Sequence, residues 1–61
     1  MTNREVVAAL AREAECDRRT AWRALEHGSG PIRTAAVRDR VAFAMRRIKD
    51  VVKQYRKEHY P

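Results

Sequence analysis

The chain has 61 residues, with 14 Lys and Arg against 8 Asp and Glu, giving a net charge of +6 and a pI near 10.5. That length supports one domain near the lower limit for independent folding. A single cysteine excludes an internal disulfide, and Cys16 with two distant histidines, His27 and His59, lacks the ligand spacing of a zinc site.

Thr2 with Glu5 three residues on forms a capping box that opens a helix over residues 3–14. Val6, Val7, Leu10, Ala11 and Ala14 recur at helical spacing and predict its inward face. Asp17 is a good N-cap for a second helix over 18–26, with Ala21, Ala24 and Leu25 turned inward. Gly28-Ser29-Gly30-Pro31 stops it and begins a loop. Thr34 is expected to cap a third helix that nothing breaks before Pro61, so it runs over about 34–59. Val37, Val41, Ala44, Ile48, Val51 and Tyr55 follow a heptad stripe along it. Its first half, through Ile48, suffices to cover two short helices. Val51, Val52 and Tyr55 then project beyond the core, either curling back onto the first helix or meeting a second chain. Phe43 points away from the stripe, nearly opposite Val41 and Ile48, which makes it an alternative contact surface. The expected architecture is all-α: one helix-turn-helix domain over residues 1–61 with an extended C-terminal helix.

Charge is unevenly placed. Residues 1–26 carry five Arg against five acids, while residues 27–61 hold nine Lys and Arg against three acids. Attraction for a polyanion therefore comes from the second half, and the first half supplies a few placed arginines. Phosphate neutralisation of this kind gives affinity and steep salt dependence but does not read sequence. The longest apolar stretch, from Val6 to Ala11, is too short for a membrane span, and no signal-peptide pattern follows Met1. A reduced cytoplasm, with association to the bacterial nucleoid, is the expected compartment.

The run from Leu10 to Leu25 resembles the headpiece of the lactose-repressor (LacI-type) family, within the wider lambda-repressor-like helix-turn-helix class. The likeness rests on Leu10-Ala11, Ala14, Thr20-x-x-Arg23 and Leu25, then Arg38-x-Arg40-Val41-x-x-Ala44, over residues 6 to about 48. Glu15 departs from the pattern, standing where the family has glycine at a turn position that favours positive φ. A glutamate there costs roughly 1 kcal/mol, so a differently shaped turn is expected. Trp22 replaces a small residue, and neither the family's hinge segment nor its sugar-binding domain has a counterpart here. Small phage, plasmid and mobile-element repressors have this minimal form.

The resemblance implies that Arg18, Arg19 and Arg23 point into the major groove. A planar guanidinium there can make two hydrogen bonds to guanine, worth about 1–3 kcal/mol of discrimination. Thr20 and Trp22 are candidate phosphate donors, although the indole could pack on the core edge instead. Thr34 with the free amides of its helix is a further phosphate candidate, and Arg33, Arg38 and Arg40 follow for backbone contacts. Cys16 fits a small apolar filler. Lys49, Lys53, Arg56 and Lys57 suit the last turns of a helix by compensating its dipole.

The expected function is a sequence-specific DNA-binding transcriptional regulator, a repressor binding an inverted repeat in double-stranded DNA as a homodimer. Dimer contacts are expected at Ile48, Val51, Val52 and Tyr55, or at Phe43. The alternatives are a DNA-bending accessory of recombination or excision, and a small helical module that binds another protein. No cofactor, metal, membrane contact or small-molecule effector is expected. The sequence offers no nucleophile–base pair, carboxylate pair or metal cluster for an enzyme.

Overall fold

Both capping signals near the N-terminus form as expected in the computed structural model, which describes residues 1–57. Glu5 donates its backbone N–H to the Thr2 hydroxyl at 3.2 Å, and its carboxylate accepts the Thr2 backbone N–H at 3.1 Å. They start α1, Asn3–Ala14. The Asp17 carboxylate accepts the Thr20 N–H at 2.8 Å and starts α2, Arg18–His27. Both carboxyls are held below their ordinary values: for Glu5 the backbone amide bond with Thr2 is the largest cause, for Asp17 the Thr20 side chain and then the Thr20 backbone N–H.

Between the two helices the chain reverses through Glu15, which takes left-handed angles of φ 54 and ψ 47. The Cys16 N–H reaches back to the Ala11 carbonyl at 3.0 Å and the Glu15 N–H to that of Arg12 at 3.4 Å. This double bond pattern defines a reversal that glycine normally serves. The turn is therefore not reshaped to suit the glutamate; instead Glu15 adopts the strained angles. Arg40 adds a third cap, donating Nε–H to the Ala14 carbonyl at 3.2 Å.

Gly28 ends α2 at φ 82 and ψ 171, a region open essentially to glycine alone. The loop that follows is pinned by the Ile32 N–H on the Ser29 carbonyl and by Arg38 Nη1 on the Ile32 carbonyl, at 3.1 and 3.3 Å. Thr34 occupies the N-cap of α3, Ala35–Arg47, but its side chain makes no capping bond, contrary to expectation.

The extended third helix is not observed. At Ile48 the backbone leaves helical geometry, with φ −110 and ψ 37, and a separate four-residue α4, Lys49–Val52, follows. The expected helical stretch at residues 58–59, with His59, lies outside the described residues. No glycine or proline makes this break. Its cause is tertiary: Ile48, Val51, Val52 and Tyr55 all pack against the core of their own chain. The tail is fastened by the Asn3 amide, which donates to the Arg56 carbonyl at 2.6 Å and accepts the Arg56 N–H at 2.9 Å. The Tyr55 hydroxyl donates to the Glu26 carboxylate. Of the two expected courses for the tail, the return onto α1 is the one taken.

α1 is the hub, packing against α2, α3 and α4. Val6, Leu10 and Val41 are fully buried, and around them lie Ala11, Ala14, Ala21, Ala24, Leu25 and Ala44. Five of these nine core residues are alanines, which let helices approach closely but contribute little apolar area each. The folded-back tail supplies bulk that the short helices lack.

Candidate nucleic-acid interface

α2 is anchored along one side only. Ala21, Ala24 and Leu25 are buried, whereas Arg18, Arg19, Trp22 and Arg23 are exposed. With 3.6 residues per turn, Arg19 and Arg23 fall on the side opposite the buried seam, and Arg18 and Trp22 flank them toward α1. Among the described residues none of the three arginines forms an ion pair or a hydrogen bond. Arg19 and Arg23 lie close enough to Asp17 to favour its ionised form, yet they make no salt bridge with it.

The electrostatics of this helix are unusual. Its first turn contains no acidic residue and begins with two arginines, at the end where the helix dipole is positive. Cations at that end are destabilising, by typically 0.3–1 kcal/mol each at low salt. The cap Asp17 offsets part of this. An external anion would offset the rest.

Two clefts flank α2. One is lined by Thr20, Trp22, Arg23, His27, Ile32 and Arg33, where the loop after Gly28 passes beside the helix. The other is lined by Arg4, Val7, Arg18, Trp22, Glu26 and Tyr55, where α2 lies beside the first turns of α1. Trp22, 45% exposed, stands on the ridge between them and is not part of the core. Thr20, Trp22, Arg23 and Arg33 are thus brought together, and Arg18 joins Trp22 on the far flank. No local sequence pattern marks Arg4. It reaches the Arg18 side of the interface only because α1 and α2 pack together.

The other expected contacts divide. Thr34 is exposed, and with its hydroxyl uncommitted to capping, the first amides of α3 lack a side-chain partner. Arg38 is half-buried with one nitrogen committed to the loop, and Arg40 is occupied with the end of α1. Cys16 is half-buried against the core; burial, then the neighbouring Asp17 carboxylate, raises its thiol above the ordinary range. No group of His, Cys, Asp and Glu able to hold a metal ion occurs among the described residues. No helix among them is long and apolar enough to cross a membrane.

The fold and this surface define a small all-α domain that displays an arginine-bearing helix between two open clefts. Comparison with protein-family models, curated proteins and solved structures finds no match to the chain.

Proposed function

We propose that this chain is a DNA-binding transcriptional regulator of repressor type that inserts α2 into the major groove and acts as a homodimer on an inverted repeat. The observation that carries the reading is the free arginine pair opening α2. Arg18 and Arg19 occupy the positive end of a helix dipole and form no salt bridge or hydrogen bond among the described residues, a placement that weakens the free protein and suits one facing a polyanion.

Roles follow from position. Arg19 and Arg23, outermost on α2, face base edges, and Arg18 faces a base or the adjoining phosphate. Thr20 and Arg33 on one flank and Arg4 on the other face the two strands of the backbone, and Trp22, on the ridge between the clefts, faces a phosphate. Thr34 and the first amides of α3 are placed for another phosphate. A two-fold dimer sets its α2 helices in successive major grooves, roughly 34 Å apart. Simple occupancy of a promoter then blocks transcription.

Footprinting on genomic DNA adjoining the coding sequence tests this. The expected result is a two-fold symmetric protected site lost with Arg19→Ala. Protection without symmetry at any concentration overturns the dimeric reading, and binding equal to that of a scrambled basic peptide overturns the whole.

A further inference from the structure

Phe43, on the outer face of α3, is 62% exposed, more than any other aromatic side chain among the described residues. It lies in a groove between α3 and the end of α1, lined also by Glu13, Glu15, Asp39, Arg40 and Arg47. Arg47 sits over the ring at 6.0 Å and pairs with Glu13 at 3.3 Å. No residue of α2 lines this groove, so whatever fills it leaves the arginine helix clear.

The charge here differs from the rest of the chain. Among the lining residues Glu13, Glu15 and Asp39 outnumber Arg40 and Arg47, and with Arg46 three residues beyond Phe43 the face carries no excess positive charge on a protein whose net charge is +6. Glu15 keeps its carboxylate beside this groove while holding a left-handed backbone that glycine would adopt freely. The order of charges along α3 is also informative. Asp39 precedes Phe43 by four residues, and Arg46 and Arg47 follow it by three and four.

We infer that this groove is the docking surface for a second copy of the chain, with two α3 helices meeting antiparallel about their Phe43 side chains. A two-fold axis near Phe43 sets the acidic end of one α3 against the basic end of the other, twice. The remaining surface carries the whole net charge and repels a copy of itself, so charge directs association to this face. Two buried phenyl rings supply the apolar centre and the charged residues its rim. This deepens the homodimer reading above and rests on it. It replaces the tail, whose Val51, Val52 and Tyr55 are already used within one chain.

Sedimentation of the free protein, without DNA, tests the surface. Wild type is expected to associate reversibly to a dimer. Phe43→Lys should weaken association by more than about tenfold while leaving the helical spectrum, and melting at monomeric concentration, unchanged, since the side chain is exposed within one chain. Asp39→Arg should weaken it too, and the charge-swapped double variant Asp39→Arg with Arg46→Asp should restore it, which a merely structural role would not predict. A wild type that remains monomeric at every soluble concentration overturns the inference, as does unaltered association of Phe43→Lys. Binding to a single half-site duplex, measured separately, reads the DNA function apart from the docking surface.

Discussion

Replacing Arg18 with glutamate should make the free protein more stable and abolish its binding to DNA. Arg18 opens α2 in a first turn with no acidic residue, and it forms no ion pair among the described residues. It also shares a cleft with Arg4, another cation. Removing a cation from the positive end of a helix and placing an anion there are each worth typically 0.3–1 kcal/mol, so the exchange is worth about 1 kcal/mol. For a domain of this size that corresponds to a rise of roughly 4–8 °C in melting temperature. The assay is thermal unfolding followed by circular dichroism at low and high salt. Because the interaction is between exposed charges, the gain should shrink as salt is added. A gel-shift titration alongside it should show loss of specific binding. A variant no more stable than wild type at low salt would refute the electrostatic account of α2, and one that still binds DNA normally would refute the assignment of Arg18.

Glu15→Gly should stabilise by about 0.5–1 kcal/mol, because the left-handed cost outweighs the extra freedom of glycine in the unfolded chain. Glu15→Ala, which keeps the strain, should not, as equilibrium denaturation at monomeric concentration will show. Gly28→Ala should destabilise by roughly 1–3 kcal/mol, since its φ of 82 and ψ of 171 strain any side chain. Val52→Asp should lower melting temperature independently of protein concentration, because the tail belongs to the monomer's own core. Acid should weaken the two N-caps. The folded carboxyls of Glu5 and Asp17 lie below their ordinary values of 4.5 and 3.8, so their contribution is complete above that range and falls away as pH drops through the lowered values. Thermal melts from neutral pH downward should show that loss, and Asp17→Asn should flatten it.

The first two helices and the start of the third were legible because their signals are local. Thr2 with Glu5, and Asp17, mark starts by side-chain chemistry, and the spacing of Val6, Leu10, Ala21 and Leu25 marks the buried seams. The break at Ile48 was not legible. A heptad stripe from Val37 to Tyr55 describes a continuous rod and a folded-back tail equally well, and the choice depends on contacts with α1 and α2, such as Asn3 with Arg56 and Tyr55 with Glu26. Thr34 reads as a cap by residue type, yet its hydroxyl makes no such bond. Arg18, Arg19 and Arg23 could be placed on one helix from spacing alone. Arg4 could not be added to them, because its place beside α2 depends on how two helices pack.

Selection of bound sites from a pool of random duplexes, carried out for wild type and for Arg19→Ala, bears most directly on whether α2 reads DNA. Wild type should enrich a palindromic motif with a guanine in each half, and Arg19→Ala should lose preference at that base pair while keeping the others. Pools that stay random for wild type, or an identical motif for both proteins, would contradict it.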